Sequence, residues 1–461
     1  MCKNRTLTAV LGKRHAVRVG MTLGLAVIVA VLLAIPAAAR PYEKTIKEGP
    51  FEVGPYSVRL GGGGNIKTPH LNGFITHMEA DVVDVHTGKV VPIQRIMLHH
   101  IVFSNLGSAT QKKSQAFYGD GEERAQLDLP RGYGYPIARS DRWGFVWMLM
   151  NHRDRPDRVF IRYRMTIDRD PRLHPVVPVA WDTSHGRQGL VFDVPGGGAP
   201  GSIDQRSTTH PSPVSGRIVA GLGHVHGGAK SLALSEPTCN NRRIYVSHPT
   251  WGLPSNAFYH VRPVLHEPGP IHMGLLQSER GIPVVAGQPL TLTSRYDNQY
   301  PHVRAMGLML AYVAPDARVT APCGPIPTDV KTIGSAIPGR SVAPHIPIPT
   351  YRYGAAGKAV RAAAPTEGAN ITAQGDAAVN VTDSGFSDAR LSIPAGSSIT
   401  WAFNGSVLHN VTLASGPEGF SSDRLASGRT FTKQFTKPGT YQFFCELHPV
   451  GMIEQVVVRP N

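Results

Sequence analysis

The sequence predicts an all-β chain built as three consecutive β-sandwich domains. Three observations carry that expectation. Short runs alternate apolar and polar residues, as in Ile75–Val83 and Val159–Ile167, and no stretch shows a convincing helical period. Glycine (49) and proline (39) are abundant and charged residues make up only 17%, the composition of β-domains joined by long turns. At 461 residues the chain exceeds one ordinary hydrophobic core.

The elements follow in order. Residues 1–39 read as an export signal: Lys3, Arg5, Lys13, Arg14 and Arg18 form a basic start, Met21–Ile35 is apolar, and Ala37-Ala38-Ala39 offers a cleavage site. An uncleaved N-terminal membrane anchor is the other reading, because the apolar stretch approaches spanning length. Residues 41–195 form a first β-sandwich. Gly61–Gly64 reads as a wide loop, and Pro195–Gly198 as a domain junction. Residues 196–323 form a second sandwich. Residues 324–367 are rich in proline and alanine and read as a semi-extended linker. Residues 368–461 alternate cleanly, with same-face pairs such as Leu391/Ile393, Trp401/Phe403 and Val456/Val458, as in a small Greek-key sandwich.

The net charge of +15 falls to +10 without the five cations of the signal. The arginines are scattered, which argues against nucleic acid and for an acidic redox partner or an anionic envelope surface. Export permits disulfides. Three cysteines follow the signal: Cys239, Cys323 and Cys445. Cys445 is claimed by a metal site, so Cys239 and Cys323 are the candidate pair.

That metal site is the surest chemistry in the chain. Cys445, His448 and Met452 fall within eight residues, and His409 lies 36 residues upstream of Cys445. Two imidazoles, a thiolate and a weak axial thioether are the donors of a blue-copper electron-transfer centre. Tyr441, Phe443 and Cys445 share parity, which puts the thiol beside aromatic packing. Lys437-Pro438-Gly439 turns the chain into this strand, and Pro449 and Gly451 bend it afterwards.

From about residue 370 onward the chain resembles the plastocyanin/pseudoazurin family of cupredoxins, on His409-Asn410 and Cys445-x-x-His448-x-x-x-Met452. The resemblance implies one type 1 copper, with His409, Cys445 and His448 as strong ligands and Met452 as the weak axial one. Family members most often place two or four residues between the last histidine and the methionine; here there are three. Such a site moves one electron at a time and keeps no open position.

The N-terminal half carries two histidine pairs. His224 and His226 are two apart and share a face of a strand. His99 and His100 are adjacent, so only a strand end or a bulge can aim both at one ion. With Lys67-Thr-Pro-His-Leu, Val264-Leu-His-Glu-Pro-Gly-Pro and His302-Val-Arg-Ala-Met306, these pairs resemble the copper type II, ascorbate-dependent monooxygenases, and more closely the stress-upregulated nodulin relatives. The resemblance implies two jelly-roll domains, each holding a copper, facing each other across a wet cleft. His99, His100 and His152 match the electron-donating copper. His224, His226 and Met306 match the oxygen-activating one, with Met273 as runner-up. Leu222 stands where the peptide hydroxylases carry a substrate-binding arginine, which argues against a peptide carboxylate.

Three readings remain open on these residues. The first is copper-dependent C–H hydroxylation, with O₂ and a small-molecule substrate, fed by the C-terminal copper. The second is a non-catalytic copper protein that exchanges electrons with a redox partner protein or a small reductant, its N-terminal half a binding module. A plain adhesion sandwich with solvated histidines is a third reading, and it predicts one copper per chain.

Overall fold

The computed structural model describes residues 40–108 and 112–461, and side chains are not described at 112–114. The expected signal and its cleavage site lie outside the described residues. Among the described residues there is no α-helix; the elements are β-strands and four short 3-10 turns.

The first sandwich packs two sheets. In one, Tyr42–Val53, Asp157–Asp168, Gly73–Asp84 and Tyr133–Ile137 lie side by side. In the other, the order is Val58–Ile66, Arg142–Asn151, Ile96–Gly107 and Lys112–Gly121. Their inner faces close on Phe103, Phe117, Trp143 and Tyr163, all fully buried. The second sandwich sets Val177–Asp182, Gly307–Pro315, Gly216–Val225 and Leu275–Val284 against Ile203–Pro211, Pro289–Asp297, Ala229–Glu236 and Arg242–Ser247. The third packs Gly439–Cys445, His448–Arg459 and Asp388–Pro394 against Ala377–Thr382, Ser398–Phe403 and Arg429–Gln434, around Trp401, Phe403, Phe435 and Tyr441.

The sandwiches share cores. Val219, Ala220, Leu222 and Tyr312 of the second join the core of the first. Tyr56, Val58, Met97, Met148 and Met150 of the first, with Phe258 and Leu265 of the second, join the core of the third. Cys239 and Cys323 are joined by a disulfide.

Several expectations need correction. Gly61–Gly64 is not a wide loop. It lies within Val58–Ile66 and pairs with Gly144–Trp147, because a Cβ at Gly61 would lie 2.0 Å from the Trp147 ring that covers it. Residues 324–367 are not a free linker. Lys331–Ile333 pairs with Leu275–Gln277, Gly339–Arg340 with Trp251–Gly252, and Tyr351 with Val450. These strands have at most three residues, too few to show a period. Pairing also crosses the junction expected near 195, since Val177–Asp182 lies along Gly307–Pro315. Met306 immediately precedes the strand Gly307–Pro315. His448 and Met452 both lie within the final strand, His448–Arg459, which runs on through the bend expected at Pro449 and Gly451.

Candidate metal centres

The C-terminal site is built by a hairpin and an isolated bridge. Gly439–Cys445 runs into His448–Arg459, and Cys445 pairs with His448 across the turn. His409 is held by main-chain bonds to Leu425, 3.2 and 2.8 Å. Asn410 then accepts the Glu446 N–H at 2.9 Å, which fixes the Cys445–His448 turn against the His409 segment. The Cys445 Sγ lies 3.8 Å from His409 Nδ1 and 3.7 Å from His448 Nδ1. Met452 is buried in the same core as Cys445. His409 Nε2 donates to Asp383 at 2.8 Å, so its Nδ1 is free to face the sulfur. Burial pushes the Cys445 thiol up to about 11, and burial with His409 beside it pulls His448 down. A soft cation entering here displaces the thiol proton and meets neutral imidazoles. The donor set therefore fits copper.

The N-terminal histidines do not form two separated sites. His100 Nε2 lies 3.1 Å from His224 Nε2 and 3.0 Å from His226 Nε2. His99, His100 and His226 bring ring nitrogens within 4.8 Å of one another. A bulge makes this geometry accessible: the register between Ile96–Gly107 and Arg142–Asn151 shifts between Leu98 and His100. His224 is the penultimate residue of Gly216–Val225 and His226 follows the strand. The two pairs meet because the second sandwich packs on the first, with Val219, Ala220, Leu222 and Tyr312 in the shared core.

His152 stands apart from this cluster. It is buried, and burial pulls it down to about 3, with the neighbouring His266 adding to the fall. It lines a small cavity with His266. Met306 borders a larger chamber with His100 and His226. Met273 is a core residue of the second sandwich.

Three further residues complete the cluster. Glu122 accepts from His99 Nδ1 at 2.6 Å and is also bonded to His266 Nε2, while Glu123 accepts from His224 Nδ1 at 2.7 Å. Glu122 also takes the Gly269 N–H at 2.7 Å. Carboxylates on Nδ1 leave Nε2 of His99 and His224 for an ion, the arrangement that orients histidine ligands. Burial opposes charge on Glu122, but His266 and His99 hold it well below the usual range. Burial pulls His224 down, and Glu123 more than offsets it, so its pKa is raised. Burial and neighbouring imidazoles hold His100 and His226 well below theirs. One His100 Nε2 proton can serve only one of its two nitrogen neighbours, so at least one lone pair there lacks a donor. A cation supplies what that contact lacks.

A chamber of about 610 Å³ reaches from the histidine cluster to the residues on either side of Cys445, and none of His409, Cys445, His448 and Met452 lines it. His100 and His226 line one side; Phe444 and Glu446, which flank Cys445, line another. Glu446 is paired with Arg304 at 2.5 Å and with Arg424. The Arg304 main chain is in turn hydrogen-bonded by His226.

Fold and donor set define the C-terminal domain as a copper-binding β-sandwich of the electron-transfer kind. Residues 373–459 match the copper binding proteins of the plastocyanin/azurin family. Amicyanin-alpha of Methylorubrum extorquens is 34% identical over 105 residues, 22% of this chain and 87% of that protein. Chloroplastic plastocyanin of Tetradesmus obliquus is 34% identical over 84 residues, 16% of this chain and 58% of that protein. Among solved structures, a purple cupredoxin from Nitrosopumilus maritimus aligns at 27% identity over 18% of this chain and 99% of that one, with a TM-score of 0.17. Through this domain the chain belongs to the plastocyanin/azurin family of copper-binding proteins.

Proposed function

We propose that this is an exported copper redox protein in which the C-terminal domain passes single electrons to a second copper held by His99, His100, His224 and His226. His409, Cys445, His448 and Met452 hold the first copper. The observation that carries the reading is the shared chamber: the cluster and the residues flanking Cys445 line one cavity. The Cys445 thiolate, Glu446, Arg304 and His226 form a continuous series of covalent and hydrogen bonds between the centres. Copper at the cluster supplies a centre for O₂ reduction coupled to C–H hydroxylation, because three or four imidazoles leave it an open position. The protein's own groups do the rest. Glu122 and Glu123 hold the imidazole tautomers. Export is supported by the N-terminal pattern and by the Cys239–Cys323 disulfide.

Copper counting on the mature protein, with an absorption spectrum, tests the reading. The expected result is two or more coppers per chain with an intense visible thiolate-to-copper band. One copper per chain overturns the second centre and leaves a non-catalytic electron carrier. Oxygen uptake that survives His224→Ala with His226→Ala overturns the catalytic assignment.

A further inference from the structure

The chamber's wall chemistry goes beyond its place between two metal centres. Its lining is predominantly apolar, contributed by all three sandwiches, including Val102, Trp147, Met150, Val303, Ile348 and Phe444. Leu60, Val146 and Leu190 also line it and are 39%, 61% and 43% exposed, so the opening to solvent is apolar as well. The charged groups in the wall are matched within the protein. Glu446 is engaged by Arg304 and Arg424, and Glu267 receives the His302 Nδ1 proton at 2.8 Å. A carboxylate or ammonium on a ligand would have to compete with these internal pairs for a counter-ion and would lose its hydration. Leu222, where a carboxylate-binding arginine would stand, is buried in the core shared by the first two sandwiches. A volume of about 610 Å³ suits a compact organic molecule.

We propose that the chamber is a binding pocket for a small, uncharged, largely apolar molecule, which it presents to the histidine cluster through the mouth formed by Leu60, Val146 and Leu190. The assignment of this molecule as a substrate rests on the proposed function; the binding itself does not. Neutrality follows from the matched wall charges, and the apolar character from the lining and the mouth.

Calorimetric titration of the full chain with toluene, benzylammonium and benzenesulfonate tests the pocket, first with copper bound and then after chelation. The expected result is saturable 1:1 binding of toluene in both states, with both charged probes weaker by about tenfold or more. Val146→Arg and Leu60→Arg alter exposed positions at the mouth and are expected to weaken toluene binding by a similar factor. Failure of toluene to bind overturns the pocket. So does equal binding of the charged probes, or unchanged toluene affinity in both variants. Retained toluene binding in a chain that holds only one copper keeps the pocket and overturns the proposed function alone.

Discussion

Glu122 and Glu123 are consecutive, yet each steers an imidazole of a different sandwich: His99 of the first and His224 of the second. The turn that carries them thus orients one imidazole from each sandwich. Replacing Glu123 with alanine is expected to weaken copper at the cluster by about 10–100-fold while leaving the visible band of the C-terminal site unchanged; competitive chelator titration reads the first and absorption the second. His77 gives a prediction about pH. Its bond to Asp128, 2.6 Å long, is the main cause of its raised pKa. A raised histidine contributes stability that is fully present below its unfolded value near 6.5 and is lost as pH rises through the folded value. The pair is partly exposed, so His77→Gln is expected to cost only about 0.2–1 kcal/mol at pH 5.5 and nothing measurable at pH 9, by chemical denaturation. The histidines were legible in the sequence because imidazole pairs at spacing one and two are recognisable ligand patterns. The glutamates were not, because two acids in Gly119-Asp-Gly-Glu-Glu read as a solvated turn until a partner sandwich buries them.

Strand Val58–Ile66 is the element that most departs from its sequence. Four consecutive glycines oppose strand formation on propensity, yet here they pair along Arg142–Asn151. The reason is lateral: the flat glycine surface makes room for Trp147, whose ring also packs against Phe51 at 4.6 Å between centroids with the planes tilted by 47°. Gly61→Val puts a side chain where the Trp147 ring lies 2.0 Å from the would-be Cβ, so that ring must move. Thermal unfolding is expected to register a loss of about 1–3 kcal/mol, and toluene affinity should fall with it because Trp147 lines the chamber. Similar logic explains the segment 324–367. Its strands are too short to carry a period and are ordered by the edges they join, first on the second sandwich and then on the third. By contrast, the alternation of the C-terminal domain was legible because strands such as Ser398–Phe403 bury one face cleanly. The bulge at His99 was legible only as a requirement: two adjacent ligands demanded it, and the register shift supplies it.

At the scale of the molecule, the two residues between Cys445 and His448 tie the C-terminal domain to the rest of the chain. The Leu447 carbonyl accepts the Val58 N–H at 3.1 Å, on the first sandwich, and Glu446 pairs with Arg304 on the second. Asp193 adds a second polar link, accepting from Ser421 at 2.9 Å and from the Arg304 N–H at 2.8 Å. None of this was visible in the sequence, since Glu446 and Arg304 are 142 positions apart and the motifs that contain them give no sign that they pair. Arg304 is only 8% exposed, and burial pulls its pKa below the usual arginine range. Removing Glu446 leaves that cation without its carboxylate partner, which costs about 3–5 kcal/mol for a buried pair. The loss falls on the interface and not on the copper ligands, because His409, Cys445 and His448 keep their own supports. Glu446→Ala is therefore expected to split one calorimetric transition into two, with the C-terminal domain unfolding apart from the N-terminal sandwiches and its visible band retained until its own transition. A single transition at unchanged temperature would mean that the shared apolar core of Val58, Met97, Met148 and Leu265 holds the domains together without the ion pair.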